Sequence, residues 1–532
     1  MATGGAESRC RKGRLSLWSR RPGEPAAMPG VRLEPQATRG ASMPRRARAS
    51  AAATFLSIGG LILLGLAAPL AAQQVLTKEF DNGGVYEGAY VEGHPEGKGT
   101  YRLPNGYEYT GDWVEGRIEG QGRAKYPDGS VYEGSFAAGR PDGQGRITYP
   151  DGGSYEGSWK EGRIEGQGVA TYADGSRYVG SFVDGKQDGE GTLTGADGLV
   201  YAGAWKAGVK QGEGKVTYAD GTTYDGEMAA GLPEGKGVLV AADRTRYEGA
   251  WKAGKFDGEG VLTGPDGDRY EGAFVAGRRE GLGRATSAGG DVYEGGFAAD
   301  LRSGAGTLTT ASGYRYAGAW VEGRLEGDGK VAYPDGSTYE GAFVAGRPEG
   351  RGVMVYADGT RYEGAWKAGE IAGEGIARYA NGLTYEGNFA EGRNHGRGKL
   401  TSADGYSYDG GWVDGLREGE AVVVYADGTR YEGGFAQGLR AGQGKMTMPG
   451  GFAFEGTWKG GLLDGPGKAT YPNGDVYEGN FVDGQREGQG RIRLADGREY
   501  EGMWKAGQPV AADTAIPAEP APAGPAEPPA GN

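Results

Sequence analysis

The chain has 532 residues but only one cysteine, Cys10, and two histidines, His94 and His395. A form that begins near Gln73 therefore has no thiol and can form no disulfide, so its stability must come from packing. The two histidines fall in distant parts of the sequence, so no shared histidine metal site is expected. No catalytic kinase lobe is expected, because residues 1–72 and 508–532 read as a leader and a tail, not as a nucleotide-binding domain with metal-binding carboxylates. Long helices are excluded by the 111 glycines, about three times the usual share. Glycine does not recur at every third residue, so this is not collagen. Aromatic residues recur on a fixed schedule, so the chain is not disordered as a whole.

Beyond the first fifty residues acid outnumbers base. Those carry eleven Lys or Arg and three Asp or Glu, a net +8, which leaves −21 on the remainder against a total of −13. So acidic a body argues against nucleic acid as a partner and against direct binding of anionic lipid by the repeats. Residues 1–42 form a basic extension ahead of Met43, which is itself a candidate start of translation. Residues 43–72, MPRRARAS followed by an uncharged apolar run ending in APLAA, have the layout of a bacterial secretory signal, with cleavage expected between Ala72 and Gln73. Retention of 51–72 as a membrane anchor is the alternative. The expected location is therefore periplasmic or secreted, or the inner membrane with the repeats outside the cytoplasm. Residues 508–532, rich in Pro, Ala and acid, read as an extended, disordered tail.

What fills the space between is one phrase repeated. Tyr126–Phe136 reads YPDGSVYEGSF and Tyr149–Trp159 reads YPDGGSYEGSW. Tyrosine recurs from Tyr86 to Tyr500 in steps of twenty-three, with Phe454 the sole substitution in nineteen copies and no insertion. Such a register predicts a solenoid-like array across residues 73–507. In each copy Tyr132, Gly134 and Phe136 alternate with Glu133 and Ser135, which is strand periodicity with the aromatic residues on one face. A second strand follows through Gly145, Ile147 and Tyr149. Asp151-Gly152 turns the chain between copies, and a longer loop, Ala137 to Gly143, is expected within a copy. The expected fold is all-β: an elongated, single-layer, twisted antiparallel β-meander of 23-residue hairpin repeats, about 38 strands extending about 180 Å.

YEGSWKEGRIEGQG, Tyr155 to Gly168, resembles the MORN (membrane occupation and recognition nexus) repeat, and the likeness covers residues 75–507. The resemblance implies elongated β-meanders used for protein attachment and sometimes self-association, and phospholipid binding has been attributed to the family. No catalytic, cofactor or metal residues are expected. Gly-x-Gly, as at Gly191 and Gly214, opens a strand and not the helix that phosphate cradling needs. Asp128, Asp151 and Asp174 are explained by turn chemistry. Glu87, Glu133 and Glu156 form an acidic column opposite the aromatic face, and Arg117, Arg140 and Arg163 lie near Glu119, Asp142 and Glu165. The function expected is a non-enzymatic exported scaffold binding a protein partner in the bacterial envelope; a self-associating rod and a membrane-surface module are the alternatives. The expected contact is an exposed aromatic track: Trp113, Phe136, Trp159, Phe182, Trp205, Trp251, Trp320, Trp366, Trp412 and Trp458.

Overall fold

The computed structural model describes residues 75–510. The extension at 1–42, the signal or anchor at 43–72 and the tail beyond Val510 lie outside the described residues. The chain divides between Ala288 and Gly289 into two compact units. The first holds nineteen strands, from Val75–Glu79 (β1) onward, and the second holds twenty, ending in Gln508–Pro509 (β39), so 508–509 continue the array and do not open the tail. Within each unit every strand pairs antiparallel with the next in sequence, a single-layer meander of hairpins, and no helix occurs among the described residues.

The packing follows from the alternation Tyr-x-Gly. Across the strand pair β6 (Val131–Ala137) and β7 (Arg140–Thr148), Tyr132 opposes Ile147 and Gly134 opposes Gly145. Two facing glycines leave a furrow, and the Tyr132 ring lies in it: a Cβ on Gly145 would stand 2.1 Å from the Tyr132 hydroxyl oxygen. The phenol then donates to the carbonyl of Ser135 at 2.9 Å. Tyr132 is fully buried although the sheet has one layer. The neighbouring copy repeats this with Tyr155 over Gly157 and Gly168, its hydroxyl donating to the Ser158 carbonyl at 3.0 Å.

The expected loop from Ala137 to Gly143 is corrected. Ala138 (φ 51°) and Gly139 (φ 75°) alone make a two-residue turn, both left-handed, as a type I′ hairpin requires, and Arg140 already belongs to β7. The length left over enters the strand as a bulge: Gly134 pairs with Gly145, but Phe136 pairs with Pro141. A left-handed alanine costs on the order of 1 kcal/mol or more, and a neighbour offsets it. The Ala138 amide donates to the Glu119 carboxylate of the preceding copy at 3.0 Å, and the Gly139 amide to the Ile118 carbonyl at 3.0 Å. The same acceptor recurs as Asp142 to the Glu161 amide at 2.9 Å and Glu234 to the Ala253 amide at 2.8 Å. Glu119, Asp142 and Glu234 thus each cap the hairpin of the following copy. At the other turn, Asp151 accepts from the Gly153 amide at 2.8 Å while Gly152 takes φ 89°, as its Asp-Gly chemistry predicts.

Gly168→Ala forces a methyl to within 2.4 Å of the Tyr155 ring. Overpacking of this kind costs about 1–3 kcal/mol, so the variant's urea midpoint falls and amide exchange quickens around Tyr155; an unchanged midpoint would refute the furrow as the packing constraint. Glu234→Ala is expected to accelerate exchange of the Ala253 amide while leaving distant copies as they were.

Candidate interaction surfaces

The ten aromatic residues expected on an exposed track are all interior, between 1 and 8 % exposed. The expectation of exposure is corrected, and the reason is their mutual packing. Trp159 stands edge-on to Tyr155 (5.6 Å between ring centroids) and to Tyr132 of the preceding copy (5.0 Å), and its indole donates to the Gly145 carbonyl at 3.2 Å. Phe136 bridges Tyr132 and Tyr109 at 5.0 Å each. Trp and Phe thus link one tyrosine to the next in most copies, Met228 standing in that position once, and such edge-to-face pairs add about 0.5–1.5 kcal/mol apiece beyond the area they bury.

A buried column that sequence reasoning missed flanks these rings. It holds Pro95, Pro141, Ile164 and Leu463 in some copies and Arg279, Arg417, Arg440 and Arg486 in others. Arg440 and Arg486 are 6 % and 3 % exposed, with their guanidinium carbons 5.0 Å from the Trp458 ring and 4.4 Å from the Trp504 ring. Arg440 also donates to the Tyr425 hydroxyl and the Gly461 carbonyl, both at 3.0 Å, and Arg486 donates to the Gly507 carbonyl at 2.8 Å. The signal was present, as arginine at 23-residue steps, but charge suggests solvent unless a ring and a carbonyl are known to wait for it.

Three kinds of side chain remain accessible. On the face opposite the rings, the acidic column pairs across strands, as in Arg123–Glu133 (3.0 Å), Lys330–Glu340 (2.8 Å) and Lys468–Glu478 (2.8 Å). These pairs are exposed and individually weak. A shallow groove on that face is lined by Arg397, Asp409, Glu420, Glu432, Lys445 and Glu455, with no apolar floor beyond Ala421 and Val422. Apolar side chains are also exposed at some of the two-residue turns. Val114, Val183, Val275 and Val344 are 47–53 % exposed, and Leu416, Leu439 and Leu462, in three consecutive copies, are 43–48 % exposed.

His94 is exposed, and His395 occupies the capping position, accepting from the Asp414 amide at 3.5 Å. Among the described residues no group of three or more His, Cys, Asp or Glu is placed to hold a metal, and no helix is long and apolar enough to cross a membrane.

These features define a single-layer β-hairpin repeat protein. Nineteen consecutive segments, from 86–106 to 500–510, match the family model of the MORN repeat, and the chain belongs to that family. No curated protein matches it. Among solved structures, the TCP domain of Drosophila melanogaster SAS-4, in complex with a proline-rich motif of Ana2, is 10 % identical over 38 % of this chain and 90 % of its own, with a TM-score of 0.18. The TCP10 domain of Danio rerio CPAP with a STIL peptide is 14 % identical over 51 % of this chain and 97 % of its own, at a TM-score of 0.15. Virginiamycin B lyase of Staphylococcus aureus is 11 % identical over 56 % and 95 %, at 0.10. Likenesses with TM-scores this low carry no argument about what this chain does.

Burial pushes the phenols of Tyr86, Tyr155 and Tyr201 up to about 12. An unfolded phenol ionises near 10, so the unfolded chain releases these protons first. Their contribution to stability is complete below about pH 10 and is lost as pH rises toward 12. In an alkaline titration phenolate absorbance and loss of strand circular dichroism should rise together within that window. Ionisation of Tyr86, Tyr155 and Tyr201 near 10 in a chain still folded would contradict this.

Proposed function

We propose that this chain is an exported, non-enzymatic scaffold whose repeat array binds a protein partner in the bacterial envelope. The observation that carries the reading is the run of half-exposed leucines, Leu416, Leu439 and Leu462, at the two-residue turns of three consecutive copies. A run of apolar side chains left in water along one edge is the usual mark of a contact surface. The aromatic columns, Trp412 and Trp458 among them, serve that contact by setting its spacing: adjacent copies are two strand spacings, about 10 Å, apart. A partner with apolar groups at a similar interval meets several copies at once, so weak contacts accumulate through effective concentration. Export rests on the basic-then-apolar order of residues 43–72. Family membership supports a repeat scaffold, and the accessible side chains form columns, not a convergent polar pocket.

The test is crosslinked capture from the native envelope with the full chain as bait, beside a L416K/L439K/L462K variant of equal strand content. The wild type is expected to recover a stoichiometric foreign protein, and the variant at least about tenfold less, the scale on which a 1.4 kcal/mol loss is read. Equal recovery by both, or bait alone in both, would rule out this edge as the contact.

A further inference from the structure

In four copies the turn that elsewhere reads Asp-Gly holds asparagine: Asn82, Asn105, Asn381 and Asn473 each precede a glycine. An asparagine before glycine has the atoms to modify itself. The glycine amide nitrogen, once deprotonated, attacks the side-chain carbonyl carbon Cγ; a C–N bond forms, the bond from Cγ to the side-chain nitrogen breaks, and ammonia leaves. Water then opens the resulting succinimide at one of its two carbonyls, which gives aspartate or isoaspartate. Glycine permits the attack because it has no side chain to crowd its nitrogen. The other described asparagines, Asn388, Asn394 and Asn480, precede Phe389, His395 and Phe481.

The fold restrains all four turns, but not equally. In each the glycine nitrogen is already a donor: Gly83 to the Phe80 carbonyl at 2.8 Å, Gly106 to Leu103 at 3.1 Å, Gly382 to Tyr379 at 3.0 Å and Gly474 to Tyr471 at 2.9 Å. In each the asparagine Oδ1 accepts from the amide two residues on, at 2.9–3.1 Å, which assigns the oxygen end of the carboxamide. The Nδ2 end differs between them. Asn82 donates from it to the Tyr101 hydroxyl at 3.0 Å, and Asn473 to the Asp475 carboxylate at 2.9 Å. Asn105 and Asn381 are exposed, and among the described residues their Nδ2 atoms find no acceptor. To bring Cγ to the glycine nitrogen, the carboxamide must turn away from its anchors. Asn105 and Asn381 break one such bond, and Asn82 and Asn473 break two.

We infer that Asn105 and Asn381 are sites of self-modification in the folded chain, ending as aspartate or isoaspartate, and that the second anchor slows the same reaction at Asn82 and Asn473. The two products differ in what they do to the array. Aspartate already stands at this position as Asp128 and Asp151, which accept from the amide two residues on at 2.9 and 2.8 Å. Isoaspartate instead routes the backbone through Cβ and Cγ, one carbon longer, and at Asn105 this separates the Gly106 amide from the Leu103 carbonyl. Conversion to aspartate therefore adds a negative charge and leaves the turn standing, whereas isoaspartate opens it. The inference concerns the Asp-Gly turns alone, and its failure leaves the reading of Leu416, Leu439 and Leu462 intact.

The experiment incubates the full chain at mildly alkaline pH, in buffer and in unfolding urea. Peptide mass spectrometry follows replacement of the side-chain NH2 by OH, with fragmentation that separates aspartate from isoaspartate. In buffer, Asn105 and Asn381 are expected to convert at least about fivefold faster than Asn82 and Asn473, the effect on a rate of one net hydrogen bond. In urea the four rates converge. Y101F, which keeps the ring but removes the second anchor of Asn82, is expected to raise the Asn82 rate to that of Asn105. N105D/N381D, the aspartate product, is expected to keep the wild-type urea midpoint. Equal rates at the four sites in buffer, the same difference in urea, or four intact asparagines in buffer after those in urea have converted overturns the inference. An unchanged Asn82 rate in Y101F overturns the role given to the second anchor, and a lowered midpoint of N105D/N381D overturns the tolerance of aspartate.

Discussion

The structure depends on one contact, a tyrosine ring lying in the furrow between two glycines. A single-layer sheet has no second layer against which to bury its apolar face, and hairpins are marginal alone. Here the sheet supplies its own cover. The ring of Tyr132 folds over Gly134 and Gly145, while Trp159 from the following copy closes on its edge. Removing two side chains from each strand pair would ordinarily weaken it. The backbone exposed in this way becomes the surface on which the ring lies, and the Ser135 carbonyl becomes the acceptor for its hydroxyl. Glycine is frequent because its absence of a side chain is used in every copy.

That contact explains why each copy relies on its neighbours. Trp159 packs against a tyrosine of the preceding copy and donates to a glycine carbonyl there. Glu119 caps the left-handed turn residue Ala138 of the following copy. Ring packing on one side of the hairpin and an acid on the turn tie adjacent copies in the same direction, so stability accrues copy by copy, as in other one-dimensional repeat proteins.

The burial of the rings moves the functional question outward. Residues that look like docking anchors in a sequence, Trp205 or Trp412, are consumed by the fold. Among the apolar side chains left to solvent are leucines at the turns of consecutive copies, Leu416, Leu439 and Leu462, which composition alone gives no reason to single out. Arginines show the reverse: Arg440 and Arg486 read as solvent-facing charges yet lie among aromatic rings, with backbone carbonyls satisfying their donors.

The sequence by itself determined the strands, their alternation, the copy number and the Asp-Gly turns, because those depend on side-chain period and local backbone preference, which are written residue by residue. The MORN family was legible for the same reason. Tertiary structure alone decided which way the aromatic face looks. Period two shows that Tyr132 and Phe136 share a face, but whether that face is open depends on rings from adjacent copies meeting over glycine pairs. It also decided that Ala138 takes a left-handed turn, since nothing local to alanine favours φ 51° and the carboxylate that holds it arrives from nineteen residues away. Local patterns are readable in one strand; a furrow, a cap and a closed face are properties of two or more strands brought together.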